Sequence, residues 1–238
     1  MVVTRGHKVK IFADGADLNG ILELAADPRI EGFTTNPTLM RRAGVDDYEG
    51  FAHKVLDHVG GRPVSFEVLS DDFDEMREQA HRIARWGGNV YVKIPVTDTS
   101  GHSSAAVVKD LAADGIQLNV TGILALDQVR TAAEALEASR ASIVSVFAGR
   151  IADTGRDPVP IMDEALEILR PHPQLELLWA SPREILNVCQ ADQIGCHIIT
   201  VTHDLLPKLD GIGRSLEDVS LDTVRMFYRD ALDAGYVL

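Results

Sequence analysis

Apolar residues along the chain gather in eight short runs, and between the runs they spread out to helical spacing. The runs are VKIFADG (9–15), GFTTNP (32–37), VSFEVL (64–69), VYVKIP (90–95), IQLNVTG (116–122), SIVSVFAG (142–149), LELLWAS (175–181) and CHIITVT (196–202). Their centres recur every ~20 to 33 residues, enough for a strand, a helix and two loops. Within 71–86, Phe73, Met76, Ala80 and Ile83 form an apolar stripe of helical period. Asp71 and Asp72 supply an N-cap and first-turn acids, and Gly87-Gly88 supplies the stop. Segments 127–139 and 160–170 read the same way, with Asp127 and Pro160 near their starts.

Eightfold strand–helix alternation implies parallel strands joined by right-handed crossovers. The expected architecture is α/β: one (β/α)₈ TIM barrel over residues 1–238, with 216–238 as a C-terminal helical extension. The chain has 238 residues, against about 250 for a typical barrel of this kind. An open doubly wound sheet is the competing arrangement, but no GxGxxG or GxxxxGK[ST] follows any run. The last helical stretch, 216–235, carries Leu216, Val219, Val224, Phe227 and Leu232. That apolar surface must pack on its own barrel or on a neighbour's.

Side chains two apart on a strand share a face. In VYVKIP, Val90, Val92 and Ile94 form the face that meets the helices, which sends Lys93 into the barrel. The same parity reveals Asp14, Asn36, Glu67, Asn119, Thr121 and Ser145 near the C-terminal halves of other runs. Barrel enzymes build their sites at that end. Desolvation disfavours a buried ammonium, and the neutral amine is a nucleophile for carbonyl carbon. The structural alternative is a lysine held charged by Asp14 or Glu67.

Composition narrows the partners. With 23 Lys and Arg against 36 Asp and Glu, the net charge of −13 disfavours nucleic acid and anionic membranes. Small anions stay within reach where a few Arg converge. Cys189 and Cys196 lack zinc-site spacing and read as buried apolar residues. The eight histidines, at 7, 53, 58, 81, 102, 172, 197 and 203, form no HExxH, and His203 could only border the mouth. No metal and no organic cofactor is expected. MVVTRGHKVK has no leader pattern, and no run reaches the ~20 apolar residues of a membrane span, so a reducing cytoplasm is the expected location.

FADGAD, GFTTNPTL, VYVKIPVT, GIQLNVT, VFAGRIADTG and ASPRE, in that order over about residues 10 to 205, resemble the transaldolase family of class I aldolases. The length is similar to its compact members. The resemblance implies that Lys93 is the Schiff-base lysine and Asp14 the general acid/base of carbon–carbon cleavage. It implies that Glu67 and Thr121 position a water for proton shuttling. Thr34, Asn36, Asn119, Ser145 and Phe147 would contact the sugar or its three-carbon fragment. Arg150, Ser181 and Arg183 would hold a terminal phosphate, for which the planar guanidinium fork is suited. The implied reaction transfers dihydroxyacetone from a ketose phosphate to an aldose phosphate, as in the pentose phosphate pathway. The resemblance also implies a homo-oligomer, a pentamer or decamer, with the C-terminal helix reaching a neighbour.

Within this family, lyases that release free dihydroxyacetone tend to carry Gln in place of Glu67 and Tyr in place of Phe147, so both positions resemble the transferases. Two positions depart from the pattern: Pro182 replaces an aromatic and Val146 replaces a proline. Because Pro182 has no N–H to offer an anion, a sulfonate or an unusual sugar phosphate is an alternative tail. A lyase and a non-catalytic sugar-phosphate binder are the alternative functions.

Overall fold

Eight parallel strands hydrogen-bond in sequence order, and the last pairs with the first, in a computed structural model that describes residues 8–237. The start of the MVVTRGHKVK segment and His7 lie outside the described residues. The strands are β1 (Lys10–Asp14), β2 (Ile30–Thr34), β3 (Val64–Glu67), β4 (Val90–Pro95), β5 (Leu118–Ile123), β6 (Ser142–Val146), β7 (Leu175–Trp179) and β8 (Ile198–Thr202). Closure leaves no sheet edge, as the eightfold alternation predicts.

The helices follow the strands with two doublings. They are α1 (Leu18–Ala25), α2 (Pro37–Arg42) and α3 (Tyr48–Leu56) between β2 and β3, α4 (Phe73–Ala84), α5 (Ala105–Ala113), and α6 (Leu126–Ala135). Then come α7 (Ala148–Ala152) and α8 (Pro158–Leu169) between β6 and β7, α9 (Leu186–Ile194) and α10 (Leu216–Asp233). A 3₁₀ helix (Leu206–Gly211) precedes α10.

Local chemistry sets the helix starts. Asp72 caps α4 by accepting from the N–H of Asp74 and Glu75, while Asp71 instead binds Thr99 in the next loop. The α6 start falls a residue before Asp127, where the Gln128 side chain accepts from the N–H of Leu124 and Ala125. Asp157, rather than Pro160, marks the start of α8.

The alternation of each strand divides the buried residues into two sets. Val90, Val92 and Ile94 belong to the shell between strands and helices, with Met76, Ala80 and Ile83 of α4. Phe12, Ile143, Leu178, Ala180 and Ile198 fill the barrel interior, with Tyr91 and Phe147 against them. Lys10 and Glu176, 2.7 Å apart, share the inward parity at the N-terminal end of β1 and β7. The inner apolar layer thus forms a floor, and the polar side chains one step further along the strands stand above it.

Several expected strands run too long at their C-terminal ends. β2 ends at Thr34, two residues before Asn36, and β6 ends before Phe147. The reason is local: Asn36 caps α2 with its side chain, and Phe147 is the residue from which α7 starts.

Candidate active site

A cavity of about 600 Å³ opens at the C-terminal mouth of the barrel. That is within the usual range for a small-molecule site, about 300–1,000 Å³. Asp14, Thr34, Asn36, Glu67, Lys93, Asn119, Thr121, Ser145, Phe147, Arg150, Ser181 and Arg183 all line it. These are the twelve positions singled out from the sequence, and the fold brings them to one place.

Lys93 is 6% exposed and projects inward from β4. Its Nζ donates to the carbonyl of Thr35 at 2.8 Å and stands 3.1 Å from Glu67 Oε2. The sequence left a free amine and a charge-paired one as alternatives. The structure places a carboxylate against the amine and keeps the cavity beside it. The pairing follows from register, because Glu67 and Lys93 are partners across β3 and β4.

Asp14, at the end of β1, accepts a hydrogen bond from Thr34 Oγ1 at 2.8 Å, and Thr34 in turn shares a short contact with the hydroxyl of Thr200. Burial pushes the Asp14 carboxyl above the usual carboxylate range, and the field of Lys93 and the Thr34 hydrogen bond act against that shift.

Deeper in the barrel, Ser145 Oγ donates to Asn119 Oδ1 at 2.7 Å, and Asn119 Nδ2 donates to Ser65 Oγ at 3.0 Å. This line runs from β6 across β5 to β3. Thr121 lies one inward step above Asn119, and its buried hydroxyl has no protein hydrogen-bond partner. Such a group in a cavity wall is suited to hold a water or a substrate oxygen.

The rim is basic on one side. Arg150 lies on α7 with its guanidinium 5.3 Å from the Phe147 ring centre. Arg183 follows β7 and is held by Asp153, with Nε 3.1 Å from Oδ1. Both lie on the segments just beyond strand ends, Arg150 after β6 and Arg183 after β7. Ser181 has φ of 60°, the only positive φ of a non-glycine residue among those described. Its carbonyl passes so close to Gly149 that an added Cβ there would stand 1.6 Å from the oxygen. Gly149 therefore lets the first turn of α7 abut the end of β7, which brings the two arginines to one rim.

Three contributors escaped the sequence reading. Tyr48 of α3 donates its hydroxyl to the Glu67 carbonyl (3.0 Å) and accepts from the Glu67 N–H (2.8 Å), clasping that residue's backbone. Thr35 supplies only a carbonyl, which no side-chain pattern marks. Arg42, in the last turn of α2, also lines the cavity. His203 does not line the cavity and lies behind the loop that follows β1. Among the described residues no group of three or more His, Cys, Asp or Glu is placed to hold a metal ion. No helix among them is long and apolar enough to cross a membrane.

The fold is similar to that of an aldolase/citrate lyase family protein from Burkholderia cenocepacia, with a TM-score of 0.57 at 13% identity, covering 93% of this chain and 96% of that one. It is also similar to a mandelate racemase/muconate lactonizing enzyme-like protein from Rubrobacter xylanophilus, with a TM-score of 0.58 at 13% identity, covering 87% and 56%. At these identities the likeness concerns the barrel alone. Sequence relatives are nearer. A protein of Methanococcus maripaludis named "Probable transaldolase" is 33% identical over 225 residues, 91% of this chain and 100% of that one. "Probable transaldolase 2" of Listeria monocytogenes is 34% identical over 202 residues, 84% and 88% of the two chains. The family model described as Transaldolase/Fructose-6-phosphate aldolase matches residues 11–235. With nearly the whole length matched and the inward-facing lysine at the mouth of a closed barrel, the chain belongs to the transaldolase/fructose-6-phosphate aldolase family of enzymes.

Proposed function

We propose that this enzyme transfers a dihydroxyacetone unit from a ketose phosphate donor to an aldose phosphate acceptor through a Schiff base on Lys93. The observation that carries the reading is a buried amine that faces a cavity and has one carboxylate, Glu67, 3.1 Å away. In this reading Glu67 takes a proton from the ammonium. The freed nitrogen adds to the donor C2 carbonyl, and the carbinolamine loses water to give the imine. Glu67 and Thr121 hold that water between them.

Asp14 then removes the proton of the C4 hydroxyl as the C3–C4 bond breaks. The electron pair of that bond enters the iminium and leaves an enamine on Lys93. The first aldehyde departs, and the acceptor aldehyde enters and its carbonyl carbon bonds to the enamine carbon. Asp14 returns the proton to the new alkoxide, and water hydrolyses the resulting iminium to release the ketose and restore Lys93. A positioned acid–base group of this kind contributes about 10²–10⁴-fold. Burial favours the protonated form of Asp14, which lowers the cost of accepting that proton. Asn36, Asn119 and Ser145 orient the hydroxyls, Thr34 orients Asp14, and Phe147 forms an apolar wall. Arg150, Ser181 and Arg183 receive the phosphate, which competes with Asp153 for Arg183.

Borohydride reduction in the presence of fructose 6-phosphate, followed by peptide mass mapping, is expected to place a reduced three-carbon adduct on Lys93. An unmodified Lys93 with turnover intact overturns the reading. The lyase alternative is separated by assaying free dihydroxyacetone without acceptor; Glu67 and Phe147 lead us to expect release well below the transfer rate. A sulfonated ketose in the same assay tests the alternative anionic tail. We also propose a homo-oligomer, a pentamer or decamer, assembled through α10, and a role in carbohydrate metabolism in the cytoplasm.

A further inference from the structure

His203 sits in the turn after β8, packed into a space that two glycines leave open. A Cβ added to Gly15 would stand 2.5 Å from its Nε2, and one added to Gly20 would stand 2.6 Å from its Nδ1. Neither glycine is left-handed, so room for the imidazole, not backbone freedom, is what an alanine would remove. Gly15 directly follows Asp14, and its N–H donates to the Thr34 carbonyl at 3.1 Å. Gly20 donates its N–H to Asp17, which caps α1. The ring thus packs against the residue that follows Asp14 and against the first turn of α1, on either side of the loop that carries Asp14 out of β1. Its Nε2 is buried and has no hydrogen-bond partner in the protein.

We infer that His203 is a positioning residue for Asp14, setting the conformation of the loop after β1 and the field at the carboxylate. The inference rests on the proposed acid–base role of Asp14 and adds a residue that acts on it from outside the cavity. The charged groups around the imidazole are Asp14 at the end of β1, Asp17 in the loop, Glu23 on α1 and Asp204 in its own turn. Burial favours the neutral ring, while these four carboxylates favour the imidazolium. Toward Asp14, Lys93 and, in its protonated form, His203 favour the carboxylate.

The test is the pH profile of kcat/KM in His203→Gln and His203→Ala. Loss of the ring is expected to lower kcat about 10-fold with KM changed less than about threefold, the signature of a misplaced acid–base group. The acidic limb is expected to move to higher pH, because the imidazolium form of His203, which favours the Asp14 carboxylate, is gone. Gly15→Ala approaches the same contact from the other side. It is expected to lower kcat similarly in the wild-type background and to add no further loss in His203→Ala, where the colliding ring is absent. If His203→Ala does not fold by circular dichroism, His203→Gln and Gly15→Ala carry the test.

An acidic limb that stays in place in the folded His203 variants, with or without loss of rate, overturns the inference, since a merely structural ring does not move it. Asp14→Asn separates this from failure of the underlying reading. Full activity in Asp14→Asn refutes the acid–base role itself, whereas an inactive Asp14→Asn beside an unshifted His203 variant refutes the inference alone.

Discussion

At Asp14 the requirements of chemistry and of stability pull apart. The carboxyl is buried, and desolvation raises its pKa above the ordinary value, with Lys93 and Thr34 offsetting part of the shift. A carboxyl that binds its proton more tightly folded than unfolded makes stability fall as pH rises from the unfolded value of 3.8 through the folded one. The charged form therefore costs stability at neutral pH, and that cost disappears below the unfolded value. Asp14→Asn is expected to melt at a higher temperature than wild type at pH 7, with the difference shrinking as pH falls toward 4, while losing about 10²-fold or more in kcat. Thermal melts across pH, paired with an aldol-transfer assay, check both halves. A variant less stable than wild type at pH 7 would show that Lys93 and Thr34 outweigh burial at this site.

At the scale of elements, the basic rim is made by the meeting of β7 and α7. Gly149 has no side chain because the Ser181 carbonyl occupies the place of its Cβ, and Ser181 holds its carbonyl there with a left-handed backbone. Forcing a methyl group into such a contact costs about 1–3 kcal/mol and displaces one of the two segments. Gly149→Ala is expected to lower the denaturation midpoint accordingly. It should also raise KM for phosphorylated donors several-fold while leaving kcat nearly unchanged, because Arg150 and Arg183 move and Lys93 does not. A rise confined to kcat would place the disturbance at the floor of the cavity instead. The opposite side of the mouth is organised by α2, whose first turn is satisfied by Asn36 accepting from the Leu39 N–H at 3.0 Å. Asn36 therefore has a capping duty alongside any contact with substrate.

At the scale of the molecule, α10 is the element the barrel does not account for. Its 18 residues include none that is buried, and Leu216, Val224, Phe227, Tyr228 and Leu232 are each at least 60% exposed. Exposed apolar side chains gathered along one helix are the mark of an interaction surface. Burying one such side chain contributes about 1.5–3 kcal/mol. The double variant Val224→Asp with Phe227→Asp is expected to dissociate the proposed oligomer, read as a lower sedimentation coefficient, while the barrel's melting profile stays cooperative. Sedimentation identical to wild type would remove α10 from the interface.

What the sequence determined by itself was everything governed by alternation along one strand. Residue parity is a local property, so the inward placement of Lys93, Glu67, Asn119, Thr121 and Ser145 could be read from eight short runs, and the closed barrel from their repetition. Strand ends were less legible: Asn36 and Phe147 looked like strand residues because a capping side chain and an extended one share the same composition. The tertiary structure alone decided distances between elements. Glu67 lies against Lys93 because of the β3–β4 register, Tyr48 reaches Glu67 from a helix 19 residues earlier, and His203 fills a hollow beside Gly15 only because β8 closes onto β1. Those contacts join residues remote in sequence through the stagger of a closed sheet, a global constraint that no window of the chain contains.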